Sequence, residues 1–61
     1  MSRKDYVTIA AAIAKARSEF VSDEYKAATI LTAQYIADAL AADNPRFDRE
    51  RFLAAARNES S

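Results

Sequence analysis

The chain has 61 residues with nine basic and nine acidic side chains, so its formal charge at pH 7 is zero. It contains no Cys, His or Gly and a single Pro. A neutral chain has no overall electrostatic attraction to nucleic acid or to an anionic membrane. Without His, Cys and Gly, the usual catalytic triads, thiolates, imidazole ligands and phosphate-cradling loops cannot be built. We therefore predict that the protein is not an enzyme and holds no catalytic residue, cofactor or metal.

The length of the chain allows one domain at most, spanning residues 1–61. A domain this small buries a modest share of its surface, and such domains are usually stabilised by disulfides, a metal or oligomerisation. Because Cys and His are both absent, oligomerisation is the remaining route. The composition therefore predicts a homo-oligomer, most simply a dimer.

The first predicted helix covers about residues 3–20. Ser2 is suited to cap it, with Asp5 three residues later in the capping-box position. The chain has 15 alanines and no Gly or Pro before Pro45, which favours helix throughout this region. Spacing of three and four residues places the apolar side chains on one side of this helix: Tyr6, Ile9, Ala10, Ile13, Ala16 and Phe20.

The second predicted helix covers about residues 23–43 and starts after Ser22, a cap residue followed by two acids. It has two apolar sides. We expect the larger one to face the rest of the domain: Tyr25, Ala28, Leu31, Thr32, Tyr35, Ile36, Ala39 and Leu40. The other is a separate strip, which we predict to bury against a second copy of the chain: Ile30, Ala33, Ala37 and Ala41.

The third predicted helix covers about residues 49–58. Asn44-Pro45 ends the second helix, because the residue before Pro avoids the helical region. Asp48 is suited to cap the third helix, and Phe47 and Phe52 have the spacing of a hydrophobic staple. Its apolar face is Phe52, Leu53 and Ala56. The sequence thus predicts an all-α, three-helix domain, a helical hairpin plus a short C-terminal helix, which oligomerises through its second helix.

Two arginines lie on predicted apolar faces. Arg17 projects near the middle of the first helix's apolar side, and Arg49 lies between Phe52 and Leu53 on the third. A charge in such a place must be paired or must extend to solvent along its stem. Either the arginine pairs with Asp38 or Asp43 within the chain, or it lies at a subunit or partner interface, where Arg is enriched.

A nucleic-acid-binding function is the alternative that the C-terminal arginines raise. Four of them cluster around the third predicted helix: Arg46, Arg49, Arg51 and Arg57. Asp48 and Glu50 dilute this cluster, the turn before it lacks Gly, and the domain is neutral where DNA-binding modules are usually basic. Binding to nucleic acid through these four arginines is therefore the second hypothesis.

The segment Asp43-Asn44-Pro45-Arg46-Phe47-Asp48-Arg49-Glu50-Arg51-Phe52-Leu53 resembles a family of short bacteriophage proteins, especially from phages of actinobacteria. The opening Arg3-Lys4-Asp5-Tyr6, followed by Ile9-Ala10, is similar to the same family. Many of those proteins carry Cys where this chain has Ala56, so no role of that thiol transfers. The resemblance implies a small accessory protein that binds a host or defence component, and it implies no catalytic residues.

We also expect the protein to work away from membranes. No apolar run approaches the length of a membrane span, and the first residues lead into an amphipathic segment instead of an apolar signal core. The prediction is a cytoplasmic protein, in the host cytoplasm if a phage encodes it. Its expected function is protein binding, to itself and to a host protein.

Overall fold

The computed structural model of the chain describes residues 2–57 and contains three α-helices within them. Helix α1 is Arg3–Ser18, α2 is Asp23–Asp43 and α3 is Arg49–Ala56. The all-α, three-helix prediction is confirmed. Helix α1 ends two residues before the predicted boundary because its last turn tightens, with the Glu19 N–H donating to the Ala16 carbonyl at 3.1 Å. Helix α3 ends at Ala56, and the predicted end at Asn58 lies outside the described residues.

Each helix begins at a polar residue that the sequence singles out. Ser2, Ser22 and Asp48 are the N-cap residues of α1, α2 and α3. The Asp5 carboxylate accepts a hydrogen bond from the Ser2 N–H at 3.0 Å, and the Ser22 hydroxyl accepts one from the Glu24 N–H at 3.1 Å. These bonds satisfy backbone donors that a helix start leaves without an intrahelical partner.

A tight turn joins α2 to α3. Asn44 is extended, as expected before Pro45, and its carbonyl accepts from the Phe47 N–H at 3.0 Å. The Asn44 side chain carbonyl also accepts from the Arg46 N–H at 3.0 Å. Pro45 thus occupies the turn position that suits its fixed φ. The rings of Phe47 and Phe52 are 5.4 Å apart, which closes the predicted staple.

Helices α1 and α2 form the predicted antiparallel hairpin, and α3 folds across one end of it. The Asn44 amide, just after α2, donates to the Tyr6 hydroxyl near the start of α1 at 3.1 Å. Helix α3 contacts both of the other helices. The molecule measures 34 × 20 × 14 Å, so its longest dimension is close to the length of α2, about 31 Å at 1.5 Å per residue.

The core is made mainly of small side chains. Within residues 2–57 the buried set is Ala10, Ala33, Ala37, Phe52, Leu53 and Ala56. Partly buried apolar side chains surround it, among them Ile9, Ile13, Ile36 and Leu40. The apolar face predicted for α3 is therefore the one that is buried. Four of the six core residues are alanines, which lets three helices approach closely but removes little apolar surface from water.

Candidate protein-binding surfaces

Helix α2 leaves most of its larger apolar side in solvent. Tyr25 is 63 % exposed, Leu31 is 52 % exposed and Tyr35 is 69 % exposed. Three smaller exposed residues share this side at about 100° per residue. We call the set the outer face of α2: Tyr25, Ala28, Leu31, Thr32, Tyr35 and Ala39. The sequence places the larger apolar side against the rest of the domain, and that prediction is wrong for these six residues. It is right for the other two members of that side, Ile36 and Leu40, which pack against the core.

The strip predicted as the subunit interface lies on the inner side of α2. Ala33 and Ala37 have no exposed surface, so they cannot contact a second copy, and this part of the prediction is wrong. Ile30 and Ala41, the other two residues of the strip, are half-buried. The physical reason is size, because the alanines let α2 approach α1 and α3 closely, while two tyrosines and a leucine would hold them apart.

The outer face of α2 presents apolar surface without charge of its own. The hydroxyl of Thr32 on this face already has a hydrogen-bond partner within the helix, because it donates to the Ala28 carbonyl at 3.0 Å. The ring of Tyr25 packs against Phe20 with centroids 5.7 Å apart, which extends the apolar surface toward the turn between α1 and α2. A contiguous exposed apolar surface of this kind is typical of a protein-binding site.

An ion pair borders this face. The Arg49 Nε donates to the Asp38 Oδ1 at 2.8 Å, so of the two alternatives for Arg49 the structure shows the pair within the chain. Both side chains are exposed, and the pair contributes at most about 1 kcal/mol to stability. It joins the start of α3 to α2. Arg17 is half-buried on α1, and its pairing with an acid of the middle segment stays a prediction.

A cleft of about 290 Å³ lies at the end of the hairpin that is opposite the α1–α2 turn, between the start of α1, the turn after α2, and α3. We call it the arginine cleft and define it by six of its lining residues: Arg3, Arg46, Arg51, Tyr6, Phe47 and Phe52. The rings of Tyr6 and Phe47 meet edge to face at 4.7 Å, and Phe47 contacts Phe52 as described above. The cleft therefore has aromatic walls fixed by ring packing.

The arginine cleft carries an unbalanced positive charge. Among residues 2–57, no carboxylate lies within ion-pair distance of the Arg3, Arg46 or Arg51 guanidinium. Asp48 also lines the cleft, where its Oδ1 accepts from the Arg51 N–H at 3.1 Å as the cap of α3, so three guanidinium charges share the cleft with one carboxylate. Guanidinium groups beside aromatic walls favour a ligand that is both anionic and apolar.

The structure divides the arginine cluster that the sequence predicts for nucleic acid. Arg46 and Arg51 line the cleft, Arg49 pairs with Asp38, and Arg57 is the exposed C-cap of α3. Arg3 joins the cleft from the other end of the chain, and sequence reasoning missed it. No local signal could have found Arg3, because only the antiparallel hairpin brings the start of α1 to the end of α2.

Comparisons with known proteins assign the chain to no group: no protein-family model, curated protein or solved structure matches it. Within the described residues, no helix is long and apolar enough to cross a bilayer. In the same part of the chain, no three acidic side chains gather where they could share a metal ion. The outer face of α2 and the arginine cleft are therefore the two candidate binding surfaces of the described residues.

Proposed function

We propose that this protein acts by binding other proteins without catalysis, and that its first partner is a second copy of itself. The observation that carries the proposal is the exposure of Tyr25, Leu31 and Tyr35 on one side of α2. The partner surface is the outer face of α2 and no longer the alanine strip that the sequence favours. The reason for expecting an oligomer, the small size of the domain, is unchanged, and only the proposed contact surface differs.

The small core supports self-association. No large side chain within residues 2–57 is fully buried, and the core rests on Phe52 and Leu53 with four alanines. A small domain usually needs stabilisation beyond such a core. A two-fold contact uses the same side chains from both copies, so each apolar group that it covers counts twice.

The shape of the outer face suits a second helix. Large side chains alternate with small ones along it: Ala28 lies between Tyr25 and Leu31, Thr32 lies between Leu31 and Tyr35, and Ala39 lies beyond Tyr35. Such alternation forms the ridges and grooves with which helices pack at about 8–10 Å. The face runs from Tyr25 to Ala39 on a helix of 21 residues, so it is about 21 Å long at 1.5 Å per residue.

Light scattering coupled to gel filtration tests the proposal. The unaltered chain should elute with at least twice its 6.7 kDa mass, and Tyr35→Glu and Leu31→Glu should each lower that mass by placing a charge in the contact. The matched control is Ala12→Glu, which adds the same charge to an exposed position of α1. A monomer at every concentration, or equal masses for Tyr35→Glu and the unaltered chain, would contradict the proposal.

A host protein is the second partner that we propose, and its basis is the resemblance to short actinophage proteins. In that setting the chain is an accessory protein in the cytoplasm of the infected host. Affinity capture from host lysate should recover a protein that binds the unaltered chain and is lost with Tyr35→Glu but retained with Ala12→Glu. Recovery of the same proteins by all three chains would argue against the outer face as the contact surface.

The nucleic-acid alternative has less support, because its four arginines do not share one surface. It requires an affinity for duplex or single strands that falls with salt and with neutralisation of Arg51 and Arg57. No electrophoretic shift at low salt would exclude this alternative.

A further inference from the structure

The turn between α1 and α2 has properties opposite to those of the arginine cleft. We call residues 19–24 the acidic turn. Val21 at its tip is 95 % exposed and Phe20 beside it is 40 % exposed. Three exposed acids flank these two apolar side chains: Glu19, Asp23 and Glu24. A single exposed valine has no special meaning, but two adjacent apolar side chains among three acids form a compact anionic, apolar projection.

The arginine cleft calls for an occupant with both properties. A small inorganic anion would pair with Arg3, Arg46 and Arg51 but would leave the ring walls in water. An uncharged apolar group would cover the rings and leave the guanidinium charges unbalanced. Three acids around an apolar tip are opposite in charge to a cleft in which three arginines outnumber the one carboxylate of Asp48, and the apolar tip suits its aromatic wall.

We propose that the arginine cleft binds the acidic turn of a second copy of the chain. Val21 and Phe20 occupy the space beside the rings of Tyr6 and Phe47, and the flanking carboxylates pair with the guanidinium groups. Charge-assisted pairs of this kind are the strong ones when guanidinium meets carboxylate. The proposal shares with the proposed function the choice of partner and the ring of Phe20, which packs against Tyr25, but it uses neither Leu31 nor Tyr35.

The contact must join different copies. The cleft lies where α1 begins and α2 ends, whereas the acidic turn lies where α1 ends and α2 begins. The length of the hairpin, about 30 Å, separates them within one chain. Each copy therefore has one cleft and one turn to offer, which makes the contact head-to-tail and allows a chain or a closed ring of copies.

Two complementary variants test the proposal, both made with Tyr35→Glu so that the outer face of α2 does not contribute. The cleft variant carries Arg46→Ala and Arg51→Ala. The turn variant carries Val21→Lys, which places a cation at the exposed tip. The two have different masses, so native mass spectrometry separates a mixed pair from a pair of like chains.

The mixture has a specific expected result. Neither variant alone forms the contact, but together they form a one-to-one pair, because one retains its cleft and the other its turn. In the control, the cleft variant is replaced by a chain with Arg46→Glu, Arg51→Glu and Val21→Lys, in which both the cleft and the turn are altered. This chain should stay monomeric when it is mixed with the turn variant. The pair should also weaken at least tenfold between low and high salt, since exposed charges are screened.

Two results would contradict the head-to-tail contact. A mixture in which both variants stay monomeric overturns the proposal, as does a mixed pair that forms equally well with Val21→Lys in both chains. If a fluorescent oligonucleotide binds the Tyr35→Glu chain and loses at least tenfold affinity with Arg46→Ala/Arg51→Ala while the mixture stays monomeric, the cleft is a nucleic-acid site instead.

The two self-association proposals fail separately. The outer face of α2 is tested by comparing Val21→Lys with Val21→Lys/Tyr35→Glu, where the head-to-tail contact is absent from both. The head-to-tail contact is tested in Tyr35→Glu chains, where the outer face is absent from both. Equal masses in the first comparison contradict the proposed function alone, and the absence of a mixed pair contradicts the inference alone.

Discussion

The two sides of α2 are both apolar, yet one is the centre of the domain and the other faces solvent. Ala33 and Ala37 on the inner side are fully buried, while Leu31 and Tyr35 on the outer side are half-exposed or more. In this small fold, burial follows fit instead of hydrophobicity. The largest side chains of the helix stay outside because the eight-residue α3 covers the side on which the helices can approach closely.

The strongest contrast between the two sides should come from a charge. Ala37→Glu places an unpaired carboxylate in the core, which costs several kcal/mol, and a domain of this size has only about 3–5 kcal/mol of stability. We expect loss of the cooperative thermal transition in far-ultraviolet circular dichroism. Leu31→Glu on the outer side should keep the transition and change the oligomer instead. An Ala37→Glu chain that melts like the unaltered one would show that the inner side is misassigned.

A matched pair of truncations gives the next largest effect. Leu53→Ala removes a buried side chain from α3 and should lower the free energy of unfolding by about 2–5 kcal/mol. Leu31→Ala deletes the same atoms from the outer side and should cost less than about 1 kcal/mol in the monomer. Both variants are measured by urea titration in chains that also carry Val21→Lys and Tyr35→Glu, so that the comparison is between monomers. Equal costs for the two leucines would remove the distinction between the sides.

The cap of α3 determines how firmly the inner side is covered. Asp48→Ala removes the acceptor of the Arg51 N–H and should lower the free energy of unfolding by about 0.5–2 kcal/mol. In hydrogen-exchange measurements, Asp48→Ala should increase the amide exchange rates, relative to the unaltered chain, more in α3 and around Ala37 than at the start of α2. The control is Ser22→Ala, which removes the cap of α2 and should affect the start of that helix first. Identical exchange patterns in the two variants would contradict the role of α3 as the cover.

The smallest expected effect is at the border between the two sides. A double-mutant cycle of Asp38→Ala and Arg49→Ala should give a coupling free energy of no more than about 1 kcal/mol, decreasing with salt. Removal of this pair should leave the oligomer unchanged at high salt. A coupling well above this value would mean that the pair, and not the packing of Phe52 and Leu53, holds α3 against α2.

The helix starts were predictable from sequence because they depend on neighbours within four residues. The hydrogen bonds at Ser22 and Asp48 and the staple between Phe47 and Phe52 lie within such a span. The buried face of α3 was also predictable, since that helix has only one apolar side. The end of α1 was not, because a tightened last turn has no strong residue signature.

The sequence by itself determined three helices, their caps and the break at Pro45. Only the tertiary structure decided which side of α2 is buried, and that Arg3 lines the same cleft as Arg46 and Arg51. Periodicity identifies apolar sides but cannot rank two of them on one helix, because their burial depends on how closely α1 and α3 can approach. Likewise, a cluster assembled from both ends of the chain has no local pattern, since the hairpin creates it.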